Sequence, residues 1–235
     1  MKIDPGSPIE YNKEGLYRRI EKLNSIYPIN FDSGLDFGAG KGAYSLFISD
    51  KVKSLTAFDL NKENLTEIKN HPGANNIQLV ITSGSKTCFK AGSFDSLFAI
   101  EVLEHLDDIH AGIMEIKRIL SKKGIVYITV PNKYFPLETH HVYLFNKPVD
   151  GRFIPLLSMF DRIHNKIGSA RRFSVKSLRG YFEKEGFEML GYDFLMPPFD
   201  NFKPGRRILK PFTEILEKSF LKVFSANIVA VFRKL

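Results

Sequence analysis

Three groups of residues in this 235-residue chain have the types and spacing to do chemistry. The first is Ser33 to Gly42, SGLDFGAGKG, with Asp59 further on. Leu35, Asp36 and Phe37 read as a short strand running into a turn that carries Gly38, Gly40 and Gly42, and a helix opens near Lys41 to Tyr44. A strand that reverses sharply into a helix uses backbone angles that a side chain obstructs, and bare backbone lets a ligand lie close. The free N–H groups of the helix then face that ligand. A second strand, Leu55 to Phe58, ends on Asp59, about 20 residues after the glycines, where an acid accepts the hydroxyls of a ribose. This is the chemistry of a nucleoside-bearing cofactor. The spacing Gly38-x-Gly40-x-Gly42 departs from the G-x-G-x-x-G of dinucleotide folds. Asp36 lies directly under the turn, where it repels a pyrophosphate and welcomes a cation.

The second group is Glu101, Glu104 and His105. Offsets of three and four on a turn or helix point all three the same way, and two carboxylates with an imidazole can hold Mg²⁺, Mn²⁺ or Fe²⁺. On the other reading Glu101 flanks the cofactor, Glu104 satisfies backbone donors and His105 packs beneath the site. The third group lies in Pro131 to His141, PNKYFPLETHH, where Asn132, Glu138, His140 and His141 can touch an acceptor. Histidine titrates near neutrality and can take the proton from an attacking hydroxyl. His140 and His141 are therefore the candidate bases, although adjacent histidines in one loop cannot both aim at one atom; the alternative is that they cap and brace the loop.

Asp36-Phe-Gly38-Ala-Gly40-Lys-Gly42 resembles the first motif, D/E-x-G-x-G-x-G, of the class I S-adenosylmethionine (SAM)-dependent methyltransferases. Ser93 to Asp107, SFDSLFAIEVLEHLD, resembles the fourth-strand segment of small-molecule members, such as the ubiquinone-pathway O-methyltransferases. The resemblance implies SAM as cofactor, held by Asp36, Gly38, Gly40, Gly42, Asp59, Leu60, Ser83, Gly84, Ser85 and Glu101, with Glu101 at its methionine end. Many relatives carry an Asp after the third strand that touches the adenine amino group. Here that place reads Ser83-Gly84-Ser85, a departure from the pattern, where a hydroxyl and a backbone N–H are able to do the same work. Some ubiquinone-pathway enzymes and small-RNA 2′-O-methyltransferases use an E-x-x-E-H with a metal, the RNA enzymes adding histidine beyond the fifth strand. Many metal-free relatives share the same letters, so no metal is expected.

The elements that position these groups follow from periodicity and punctuation. Tyr11 to Ile26 carries Leu16, Ile20 and Leu23 at helical spacing, and residues 11–27 are expected to cap the cofactor cleft. A helix opens at Asn61 and breaks at His71-Pro72-Gly73. Ile77 to Ile81 reads as a strand buried on both faces, and Ile125 to Val130 as a fifth strand rich in β-branched residues. Between them, Phe94-Asp95 opens a fourth strand, and a helix starts at Asp107 and Asp108 and closes at Lys122 to Gly124. Residues 131–173 form a lid or substrate-recognition insertion, Val175 to Lys184 a capped helix, and Phe187 to Leu195 a sixth strand. Residues 197–224 form a second insertion ending in an amphipathic helix, and Ile228 to Phe232 closes the sheet. Alternating strands and helices predict a single α/β domain with a Rossmann-like, seven-stranded, mostly parallel sheet and helices on both faces. Its ligand lies beyond the carboxyl ends of the strands. The resemblance implies that the last strand runs antiparallel between the fifth and sixth.

Composition narrows the partners. Met1 to Leu16 has no apolar run, no stretch approaches the roughly 20 apolar residues of a membrane span, and Cys88 is the only cysteine. A cytoplasmic location is expected by default. Residues 30–100 contain seven basic and seven acidic residues, residues 140–180 eight against two, and residues 200–225 six against three. The cofactor half is neutral and the rest basic, which suits an anionic substrate, an anionic membrane surface touched peripherally, or nucleic acid. The expected function is methyl transfer from SAM, at oxygen, to a small-molecule, glycan or lipid-linked acceptor. The alternatives are a metal-assisted RNA 2′-O-methyltransferase, a nucleotide-binding oxidoreductase and a SAM-binding protein without turnover.

Overall fold

The computed structural model describes residues 13–145, 147–151, 154–197 and 215–235. Strands and α-helices follow in the order α1 (Lys13–Ile26), β1 (Phe31–Phe37), α2 (Ser45–Ser49), β2 (Val52–Asp59), α3 (Lys62–Lys69), β3 (Ile77–Ile81), β4 (Phe94–Ile100), α4 (Ile109–Ile119) and β5 (Leu120–Pro131), among the described residues. They continue as β6 (His141–Leu144), β7 (Lys147–Asp150), α5 (Asp161–Ile167), α6 (Val175–Lys184), β8 (Phe187–Leu195) and β9 (Asn227–Lys234). Seven strands form one sheet in the order β3-β2-β1-β4-β5-β9-β8. The first five run parallel, and β9 lies antiparallel to both β5 and β8.

β5 shows why the sheet needs helices on both faces. Val126, Ile128 and Val130 pack with Ile113 and Ile116 of α4 and Phe182 of α6, while Ile125 and Tyr127 pack with Ile20 and Leu23 of α1 and Ile48 of α2. A strand covered on both sides reads as an unbroken apolar run. The Tyr127 hydroxyl lies 3.2 Å from the Tyr27 carbonyl and 3.1 Å from that of Pro28, so its proton ties the end of α1 to the sheet. α6 begins with a reciprocal cap: Ser177 N–H donates to Ser174 Oγ at 3.1 Å and Ser174 N–H to Ser177 Oγ at 2.9 Å. Such a cap is worth about 1 kcal/mol.

The structure departs from expectation at four places. β3 is an edge strand with half-exposed residues, because nothing pairs beyond it in the sheet order. α4 ends at Ile119 rather than near Gly124, because Leu120 already pairs with Phe94 at the start of β5. The insertion after β5, where the sequence pattern predicts no regular elements, holds the β6–β7 hairpin and α5. Of the stretch 206–224, residues 206–214 lie outside the described residues, residues 215–218 are α-helical as expected, and Phe220–Phe224 then tightens into a short 3-10 helix. Residues 11 and 12 of the cap helix also lie outside them.

Candidate active site

Because β1, β2 and β4 are parallel, the residues that follow them meet on one edge of the sheet. Gly38, Gly40 and Gly42 take φ values of 76°, 52° and 81°, the left-handed region that a side chain resists. Their surroundings differ. A Cβ on Gly38 would lie 3.0 Å from the methyls of Val102, and one on Gly42 would overlap Ile68 Cγ1 and lie 2.9 Å from its Cδ1. A Cβ on Gly40 would meet nothing within 4 Å. Two of the glycines thus serve close packing, and the third leaves a cradle of open backbone that a Cβ would fill.

Asp59 holds that cradle in shape. Its Oδ2 accepts from Gly40 N–H at 2.8 Å, and its Oδ1 from Asn61 N–H at 2.8 Å and Asn64 Nδ2 at 3.2 Å. Leu60 beside it is exposed. Asp36 lies beneath, 2% exposed, accepting from the Ser45 hydroxyl at 2.6 Å. Burial pushes its carboxyl up to about 7, with Ser45 opposing and neighbouring Asp59 adding to the rise. A cation over the loop would be the natural partner of this carboxyl. On the far side, Thr82 N–H donates to the Asp59 carbonyl and Ser83 bridges to Lys86, so Ser83, Gly84 and Ser85 stand beside the loop. A Cβ on Gly84 would lie 2.9 Å from the Phe37 ring, so this glycine also answers to packing.

Glu101 follows β4 with φ 56°, a left-handed conformation uncommon outside glycine. It is held there by several bonds. Thr129 Oγ1 donates to its Oε1 at 2.7 Å and Asn227 Nδ2 to both carboxylate oxygens at 3.1 and 3.0 Å. Arg19 NH2 lies 4.0 Å from Oε1. The Arg19 guanidinium, 2% exposed, also donates to Asn227 Oδ1 at 2.8 Å and to the Tyr44 hydroxyl. Sequence reading passed over Arg19, yet a signal was there: Leu16, Arg19, Ile20 and Leu23 fall at i, i+3, i+4 and i+7, which puts a charge on the apolar stripe of α1.

Among the described residues, Glu101 does not join Glu104 and His105 in a metal-ligating group, the arrangement that helical offsets allow. The chain leaves β4 through Glu101 at positive φ and Val102 at φ −123°, and only Leu103–His105 makes a 3-10 turn, so helical offsets do not apply across it. Glu104, His105 and His140 come together instead, with one ligand atom from each within 4.8 Å of the others. The His105 and His140 rings lie edge to face, 5.5 Å apart. Glu104 is 2% exposed, and neither of its oxygens finds a hydrogen-bond partner among the described residues. Burial, and then the charge of Glu101, raise its carboxyl well above the usual range. An unsatisfied buried carboxyl beside two imidazoles is a donor set that fits a divalent cation.

His140 is placed by its own loop. Glu138 Oε1 accepts from His140 N–H at 2.9 Å and lies 3.4 Å from its Nδ1, while Glu138 Oε2 lies 2.6 Å from Nε2 of the buried His164 on α5. Burial alone would raise Glu138, but the hydrogen bonds to His140 and His164 outweigh it and hold the carboxylate at about 2. His141 goes elsewhere: it starts β6, pairs with Asp150 and is exposed. Asn132 is buried and spans to the carbonyls of Val223 and Ser225, at 2.8 and 2.7 Å, so it braces the loop against the last connection.

A family model described as a methyltransferase domain matches residues 35–128. The chain is 27% identical over 158 residues to a ubiquinone biosynthesis O-methyltransferase of Pelagibacter ubique, a match covering 60% of this chain and 66% of that protein. It is 25% identical over 117 residues to the protein of the same description from Colwellia psychrerythraea, covering 48% of this chain and 46% of the relative. The chain thus spans less than two thirds of these relatives' length. In fold it is similar to the crystal structure of an S-adenosylmethionine-dependent methyltransferase from Mesorhizobium loti, with a TM-score of 0.63, 14% identity, and 90% and 95% of the two chains covered. The matched stretch runs from β1 into β5, and the sheet beyond it closes with an antiparallel β9, so residues 35–128 are similar to a methyltransferase domain and the whole sheet has the fold of SAM-dependent methyltransferases.

Proposed function

We propose that this chain methylates an oxygen of a small-molecule acceptor, which enters between the rim of the sheet and the insertion after β5. The observation that carries the reading is His140, brought by the insertion to within ring contact of His105 beside the rim. When bound, SAM supplies a methyl carbon on a sulfonium, so attack by an oxygen breaks the C–S bond and leaves the electron pair on sulfur. Little acid–base chemistry is needed, and alignment is the main task. Gly38, Gly40, Gly42 and Asp59 shape the cradle, with Leu60 and the 83–85 segment at its side and Asp36 as the buried carboxyl beneath. Glu101 and Arg19 meet the methionine end, Glu101 its ammonium and Arg19 its carboxylate. His140 takes the acceptor's hydroxyl proton as the C–O bond forms, and the Glu138 carboxylate keeps its ring in place. Exposed Phe145 and Phe160 with nearby Lys147 and Lys166 favour a lipid-linked form of the acceptor, presented at an anionic surface.

A second reading is favoured by the unsatisfied Glu104 carboxyl. Glu104, His105 and His140 would hold a divalent cation, which would lower the pKa of an acceptor hydroxyl. Incubation with radiolabelled SAM and fractionated lipid, glycan and RNA extracts, with and without chelator, tests both readings. Label in an organic-soluble or glycan fraction supports the first, chelator sensitivity supports the second, and label confined to RNA overturns the acceptor assignment.

A further inference from the structure

Residues 171–173 run beside the exit of β5. Phe173 N–H donates to the Pro131 carbonyl at 2.9 Å, Lys133 N–H to that of Phe173 at 2.8 Å, and Arg171 N–H to that of Glu104 at 3.0 Å. Arg172 therefore stands between the turn that carries Glu104 and the loop that carries His140. Its side chain is 4% exposed and turns towards the insertion, where NH2 donates to Asp161 Oδ1 at 3.1 Å. Its Nε and NH1 are buried and find no hydrogen-bond partner among the described residues. That leaves three of its five N–H groups without an acceptor.

The neighbouring carboxylates are already engaged. Asp161 also receives Lys133 Nζ, and Glu138, close enough to act electrostatically on Arg172, spends its oxygens on His140 N–H and His164 Nε2. Buried N–H groups are nearly always bonded, and a guanidinium is less strongly hydrated than an ammonium and shaped to grip oxyanions. The surrounding segment, with eight basic residues against two acidic over 140–180, draws anions towards this position. Resting on the proposed entry of the acceptor from this side, we propose that Arg172 is an acceptor anchor, and that the methyl acceptor carries a carboxylate or phosphate which the free N–H groups of Arg172 receive.

The test uses the purified full chain saturated with S-adenosylhomocysteine, with benzoate and inorganic phosphate as separate probes. In protein labelled with ¹⁵N at arginine Nε, the Arg172 signal is assigned by its loss in Arg172→Lys. Titration with at least one probe is expected to shift that signal saturably, and the responding probe tells carboxylate from phosphate. By calorimetry, Arg172→Gln should weaken the same probe at least tenfold, while Lys166→Gln, which removes an exposed charge from α5, should change it less than twofold. Absence of a shift with both probes, or equal weakening in the two Gln variants, overturns the proposal. The NMR titration decides even if Arg172→Gln fails to fold. Uptake of S-adenosylhomocysteine with no anion response sinks this inference alone, whereas no uptake sinks the methyl-transfer reading beneath it.

Discussion

Gly40 and Gly42 are two residues apart in one loop, and the structure assigns their substitution by alanine opposite consequences. At Gly42 a Cβ meets φ 81° and the side chain of Ile68, overlapping Cγ1 and lying 2.9 Å from Cδ1. Left-handed strain costs about 1–2 kcal/mol and overpacking about 1–3 kcal/mol, so Gly42→Ala should lose about 2–5 kcal/mol. For a domain of this size that lowers Tm by about 4–20 °C. At Gly40 the φ of 52° is one that L-residues do visit and the Cβ touches nothing, so Gly40→Ala should lose only about 1 kcal/mol, or about 2–4 °C. The Cβ of Gly40→Ala does, however, occupy the open space over the cradle. Affinity for SAM and S-adenosylhomocysteine should fall by about tenfold or more, the value of roughly one well-made polar contact to a charged ligand. Calorimetric melting reads the first quantity and isothermal titration with S-adenosylhomocysteine the second. A Gly40→Ala protein as unstable as Gly42→Ala, or one that binds the cofactor as tightly as the parent, refutes the division between a packing glycine and a ligand glycine.

Asp36, raised to about 7 in the folded protein from 3.8, binds its proton more tightly when folded. Its contribution to stability is therefore full at low pH and is lost as pH rises through about 7. Asp36→Asn should flatten the fall in urea-unfolding stability between about pH 4 and about pH 7, and an unchanged slope would count against the buried carboxyl. Glu138, at about 2 against 4.5, works the other way: its contribution is present above pH 4.5 and lost on acidification towards 2. His164→Phe, which strips Glu138 Oε2 of its partner, should cost about 3–5 kcal/mol, and Glu138→Leu with His164→Phe should recover most of it. If the double variant is less stable than His164→Phe, the cost lies elsewhere. Arg19→Met keeps the stem in its apolar stripe but removes the charge beside Glu101; SAM binding should weaken by about 10–100-fold, as read by titration calorimetry.

Local physics made the cofactor half legible. Positive φ at Gly38, Gly40 and Gly42, the apolar run of β5, the Asn61 side chain accepting from Glu63 N–H and the Ser174–Ser177 cap all depend on residues close in the chain. Their sequence signals therefore carry over directly into elements, and parallel strands bring Gly38, Asp59 and Glu101 to one rim. Contacts between distant segments had no such signal. Glu101 reads as one of a carboxylate–histidine trio until Asn227, 126 residues away, and Arg19 claim it.

His140 and His141 are equivalent in sequence. Strand pairing at His141 sends its side chain outward, while Glu138, fixed by a histidine 26 residues later, holds His140 at the site. A basic residue such as Arg172 reads as surface charge until an adjacent strand exit and an occupied pair of carboxylates bury it. The sequence determined the cradle because backbone geometry is set residue by residue. Only the tertiary structure decided which charges face one another there, because burial and partner choice are properties of the assembled fold.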